Sequence, residues 1–344
     1  MMKKRISVIW ISILLISAPT LFAQKILFVD SSQSTVSFRG LSVVNDNVLW
    51  VSGSKGTIGK SIDGGRTFTW MHPAGFEKRD FRDIEAFDAN TAVAMAIDSP
   101  AFIIKTTDGG VTWKTVYERH LHGIFLDAMC FKNDKRGVCV GDPINLRFWL
   151  LETNDGGDSW QEIPPPFRPT ADSGEACFAS SGTNLQFVDD TRFEYGFVSG
   201  GAMSILYLMG NGRTKPSAKI ALEINHELES TGANSWAVNG KKYVVVGGDF
   251  KDYKMEMYNS AYSMDAGRRW QSPAEPPAGY KSCVIWKDNI NLIATGLAGT
   301  DISFRGPKAW KHISDIQFHV VQKAKTGNSI FLAGGGGRIG RYVE

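Results

Sequence analysis

The chain has 344 residues, with 38 Lys and Arg against 35 Asp and Glu. Three of the basic residues, Lys3, Lys4 and Arg5, sit in a stretch with the pattern of a secretory signal: a basic start, an apolar run from Ile6 to Ser17, and Leu21-Phe22-Ala23 ahead of Gln24. Without them the chain carries 35 charges of each sign, which removes the electrostatic support for a nucleic-acid partner.

The apolar run is shorter than the ~20 residues of a membrane span, and position 24 is Gln rather than the Cys of a lipoprotein. Residues 1–23 are therefore predicted to be a cleaved signal peptide and residues 24–344 a single domain. Export to the periplasm or the extracellular space follows, with no transmembrane anchor after cleavage.

Along the mature chain, Lys25 to Asp30 reads as a lone strand. Strand pairs then recur around one turn. Ser61-Ile62-Asp63-Gly64-Gly65-Arg66-Thr67-Phe68 is repeated, loosened in places, at Thr106 to Trp113, Thr153 to Trp160 and Ser263 to Trp270. Each copy follows an apolar strand, and Trp113, Trp160 and Trp270 open the next one. Gly accepts the positive φ of such hairpins, and an Asp carboxylate can accept the amides of its own turn. Because one active site has no use for the same turn four times, Asp63, Asp108, Asp155 and Asp265 are read as structural.

The intervals between these aspartates are blade-sized, and the last gap is double. Worn copies stand near Leu208 to Lys215, with Gly212 and Thr214, and at Ser303 to Trp310. A preceding strand, such as Val51-Ser52-Gly53, Ala94-Met95-Ala96 or Val246-Gly247-Gly248, recurs seven times. The predicted fold is all-β, a seven-bladed β-propeller. Its last blade, built from His319 to Lys323, Ser329 to Ala333 and Arg338 to Val343, borrows Lys25 to Asp30 as its outer strand and so closes the ring. Pro164 to Pro169 links blades three and four, as a stiff connector or a docking strip, and the long fourth blade leaves room for an extra hairpin.

Strand one of each propeller blade lines the central channel, so polar residues near its start converge on a funnel opposite the aspartate turns. Those are Arg39, Asp83, Asp127, Glu175, Asn184, Ser235 and Ser282, joined from loops by Asp142, Asn145, Asp249, Lys251, Tyr253, Gly296 to Asp301 and Gly334 to Gly337. They either grip a polar ligand or partner, or bind backbone amides and tie blades together. Cys130 and Cys139 flank one turn and could pair, or all four cysteines, with Cys177 and Cys283, are small buried residues. No Cys-x-x-Cys or His cluster points to a metal, and no strand–Gly-x-Gly-x-x-Gly–helix unit to a dinucleotide. No cofactor is expected.

The hairpins resemble the Asp-box, or bacterial neuraminidase repeat. Together with Arg39-Gly40-Leu41 and Val51-Ser52-Gly53, most of the mature chain resembles the photosystem II stability/assembly factor-like propellers of the sialidase-like superfamily. That resemblance implies an exported seven-bladed scaffold that binds a protein partner during assembly of membrane complexes. The alternative is a sialidase-like glycoside hydrolase acting on carbohydrate, with Arg39 on its substrate, Asp83 as acid/base and Tyr280 as nucleophile. Arg268 and Arg305 fall in Asp-box turns, on the wrong face for it.

Overall fold

The computed structural model describes residues 25–210 and 217–344. The signal-peptide expectation and the worn turn at Gly212 and Thr214 lie outside the described residues. Five sheets have four antiparallel strands and one has eight. The eight-stranded sheet is two blades touching through a single pair, Gly200 opposite Gly232. A Cβ on either glycine would collide with the backbone of the other, so only Gly permits this approach. Seven blades result.

The chain order is the one the repeat implies. Blade one runs Phe38–Val43, Leu49–Gly53, Ile58–Ser61 and Thr69–Met71 from the channel outward. Blade seven runs Val320–Lys323, Ile330–Ala333 and Ile339–Val343, and its outer strand is Lys25–Asp30, antiparallel to Ile339–Val343. The N-terminal strand thus closes the ring and leaves no bare edge there. Blade four carries an extra short strand, Glu175–Ala176, beside its long second strand Phe193–Gly201. In blade five the outer strand has shrunk to one bridge, Tyr262 with Gln271. The proline run becomes a single 3₁₀ turn, Pro165–Phe167.

The aspartate turns are hydrogen-bonded knots. Asp63 accepts the Ser61 hydroxyl at 2.8 Å, the Thr67 amide at 2.9 Å and the Thr67 hydroxyl at 2.7 Å, while the Gly65 amide donates to Ser61 Oγ at 2.9 Å. Asp108, Asp155 and Asp265 repeat the pattern. Each turn also faces the preceding blade. Gly110, at φ 90°, sits so close to Met71 of blade one that a side chain there would overlap it, with Trp50 in contact beside it. Trp113 packs edge-on against Trp50 at 6.3 Å, and Trp160 joins Val93 and Met95 of blade two. Lys60 and Lys105 complete the joint by donating to carbonyls of the next blade's turn, at 2.8 Å to Gly109 and 2.9 Å to Gly156.

A second belt runs nearer the channel. Ser42 Oγ accepts the Ala86 amide at 3.0 Å, Asp83 the Met129 amide at 2.7 Å, Ser235 Oγ the Val284 amide at 3.0 Å and Cys283 Sγ the Val321 amide at 3.4 Å. In each case an inner-strand side chain satisfies an amide of the next blade. Buried donors left without such partners are costly, so these residues carry the ring's angular spacing.

All four cysteines are free. Cys130 lies opposite Val138 and Cys139 opposite Met129, so the two point to opposite faces of their sheet. The possible pairing across the turn is therefore corrected by a register of one residue.

Candidate functional site

On the face opposite the aspartate turns, the channel opens into a cavity of about 350 Å³. Its wall is aromatic, with Phe125, Phe178, Phe250 and Tyr280. Its polar groups are Arg39, Arg82, Asp142, Ser180, Asn234, Ser282 and His319.

The arrangement of polar groups follows from β-bulges. The inner strand of blade one breaks register between Phe38 and Gly40, that of blade two between Phe81 and Asp83, and that of blade five between Ala233 and Ser235. The extra residue in each case, Arg39, Arg82 and Asn234, turns into the funnel, as a bulge re-aims a side chain. In blade three the same position is Asp127, and it is wholly buried.

The two arginines differ in their partners. Arg82 pairs with Asp80 at 2.7 Å and donates to the Ala179 carbonyl at 3.0 Å. Among the described residues Arg39 has no ion pair, only a long contact of 3.4 Å from Nη1 to the Ser180 carbonyl. Burial, reinforced by the Arg82 charge, lowers the Arg39 pKa to about 10. Burial, with Arg39, Arg82 and Arg338 nearby, holds His319 down to about 3, so the imidazole is neutral and adds no repulsion. Tyr280 donates its hydroxyl to Asn234 Oδ1 at 2.7 Å. Ser282 donates to the His319 carbonyl at 2.6 Å.

Of the predicted funnel residues, Arg39, Asp142 and Ser282 line the cavity, as do Tyr280 and, from the loop Gly296 to Asp301, Leu297. Asp142 accepts the Cys177 amide at 2.9 Å, and burial raises its pKa to about 6. The others are placed elsewhere. Asp83 is turned into the wall, where it takes the Ile84 and Met129 amides; burial pushes its pKa up to about 8 against those two hydrogen bonds. Asp127 is buried, and neither carboxylate oxygen meets hydrogen-bond geometry. Burial and then the Asp142 carboxyl raise its pKa well above the usual range, and Arg82 and the amides of Ala179 and Asp142 oppose this electrostatically.

Asn145 is the exposed tip of a two-residue hairpin, with φ 53° at Asn145 and 59° at Leu146. Asp249 caps its own loop through the Lys251 amide at 2.8 Å, leaving Phe250 to face the cavity. Glu175 is enclosed by Tyr207, Ser199 and the Asp172 amide. Asn184 is fully buried, and Ser235 belongs to the inner belt.

The glycosidase set is not assembled. Arg39 and Tyr280 share the funnel, but Asp83 faces away, and the Tyr280 hydroxyl is held by an amide oxygen rather than by a Glu. Sequence reading passed over Arg82 in favour of its neighbour Asp83. The signal lay in the parallel of Phe38-Arg39 with Phe81-Arg82.

No protein-family model matches the chain, and no curated protein matches it. Solved structures do. YCF48 bound to D1 peptide is 16% identical with a TM-score of 0.64, over 94% of this chain and 97% of that one. YCF48 from Cyanidioschyzon merolae is 14% identical with a TM-score of 0.63, over 92% and 98%. The Neurospora crassa Pan2 WD40 domain is 12% identical with a TM-score of 0.60, over 92% and 93%. At such identities the likeness speaks for architecture, and in architecture the chain is a YCF48-like β-propeller.

Proposed function

We propose that the funnel binds an extended, carboxylate-bearing peptide segment of a partner protein, and that the molecule serves as an exported binding scaffold of the assembly-factor kind. The observation that carries this reading is the Arg39 guanidinium, held beside Arg82 at the mouth of an aromatic cavity with no ion pair among the described residues. A guanidinium offers a planar fork of donors suited to a carboxylate. Arg82 already has a carboxylate partner in Asp80, and its charge adds to the positive potential at Arg39. Phe125, Phe178, Phe250 and Tyr280 supply apolar surface for the side chains that flank such a carboxylate. A propeller of the same architecture has been solved with a peptide bound. The aspartate hairpins, read as Asp-boxes, hold the frame and take no part in binding.

The test is a photo-crosslinker placed at Phe250 in the mature protein, used in envelope extracts. The wild-type background should trap a specific protein through one segment, and the Arg39→Ala background should lose it with an unchanged melting temperature. Equal trapping by both would sink the proposal. So would turnover of aryl glycosides or sialosides that disappears with Arg39→Ala, which would favour the carbohydrate alternative.

A further inference from the structure

The face opposite the funnel holds a surface that peptide binding leaves unused. Strand topology puts the loops between strands one and two and the turns between strands three and four on this face. In blades five and six they form one connected patch. The Ala266 amide donates to the Lys241 carbonyl at 2.8 Å, joining the aspartate turn of blade five to the blade's first loop. Lys242 Nζ donates to the Asn289 carbonyl at 2.7 Å and so reaches the first loop of blade six. Gly306 lies beside the Ile290 carbonyl, which brings in the turn from Phe304 to Lys308.

Three apolar side chains stand out at the tips of these turns. Met264 is 48% exposed, Ile290 60% and Phe304 48%. Around them Lys241, Arg268, Arg305 and Lys308 are exposed and have no ion pair among the described residues. Two acidic groups of the patch are already engaged: Asp265 holds Arg269 and its own turn, and Asp288 accepts the Ile290 and Asn291 amides. Glu275, whose amide donates to the Lys308 carbonyl, is exposed at the edge of the patch and is outnumbered by these cations. The chain after residue 23 has as many acidic as basic residues, so this excess of positive charge is a local feature of two blades.

We propose that this corner of the ring docks on the surface of an anionic lipid bilayer. Apolar tips that enter the headgroup region, flanked by cations that meet acidic lipid, are the two components of interfacial binding. Individually exposed apolar residues are ordinary on protein surfaces. Here three occupy adjacent turns, on one face, inside a cluster of unpaired cations. Docking in this way turns the funnel away from the bilayer and toward the aqueous side, so both faces can be occupied at once.

The experiment is co-sedimentation of the mature protein with vesicles of phosphatidylcholine alone and of phosphatidylcholine with phosphatidylglycerol. Binding is expected only to the anionic vesicles and should fall as salt rises. Arg268→Glu with Lys308→Glu should weaken it ~tenfold or more, and Ile290→Ser with Phe304→Ser should weaken it at both low and high salt. Lys251→Glu, an exposed change on the funnel face, should leave it as it was. All five positions are exposed, and matching melting curves will separate lost docking from lost folding. The proposal is overturned if the wild type stays in solution with anionic vesicles at low salt. It is equally overturned if either double variant sediments like the wild type, or if the patch captures an acidic protein but no vesicle.

Discussion

At the scale of single residues, the turn aspartates show how a repeated carboxylate can be structural rather than catalytic. Asp63 is held at a pKa of about 2, first by the Thr67 amide and then by the Thr67 and Ser61 hydroxyls. Asp108 is held at about 2 first by the Thr112 hydroxyl, and Asp265 at about 2 first by the Arg269 side chain. At Asp155 burial pushes upward, but the Ser159 hydroxyl and amide prevail and the value is again about 2. A carboxylate whose folded pKa lies below its unfolded value stabilises the fold above the unfolded pKa and stops doing so as pH falls through the folded one. These turns should therefore keep full strength down to about pH 4 and loosen between about pH 4 and pH 2. Carboxyl-carbon NMR titration should give four aspartates with midpoints near 2, and Asp108→Asn should flatten its share of the acid-limb melting curve. Midpoints at the ordinary carboxylate value would mean that the knots do not persist in solution.

At the scale of strands and turns, the blade count and the ring closure were legible because they rest on local patterns. The aspartate turn is made within a few residues, and the alternation of the flanking strands says where it sits. What escaped was set by register. Whether Arg82 or Asp83 faces the funnel depends on a bulge between Phe81 and Asp83, and the bulge exists only against its partner strand. Asp249 and Phe250 exchange roles for a similar reason, since the loop folds back to let Asp249 accept the Lys251 amide. The merging of blades four and five through Gly200 and Gly232 is a contact between elements that are distant in sequence. Lys25–Asp30 provides a direct test of the architecture. Removing residues 25–30 leaves Ile339–Val343 as a bare edge, with unpaired backbone groups ready to accept another strand. The shortened protein should melt several degrees lower and self-associate with rising concentration, seen by light scattering during size exclusion. A monomer with an unchanged melting temperature would show that the ring does not depend on this closure.

At the scale of the whole molecule, the ring joins a rigid frame to one site that breaks its rules. The other buried cations with strong partners are paired: Lys281 meets Asp301 at 2.6 Å, Arg136 meets Glu152 and Glu194, and Lys105 meets Asp158. Arg39 departs from this pattern, being largely desolvated and next to a second arginine, with no ion pair among the described residues. A charge so placed costs free energy in the unliganded protein. Departures of this kind are expected where a ligand supplies the missing partner. Arg39→Met keeps the bulk of the side chain and removes the charge. The variant should be more heat-stable than the wild type, by a few degrees at most for a domain this large, and it should lose the peptide. In the wild type a bound carboxylate peptide should raise the melting temperature with its concentration, and in Arg39→Met the same peptide should leave it flat. If the variant melts lower than the wild type, Arg39 is part of the frame, and the funnel has no unfilled partner to offer.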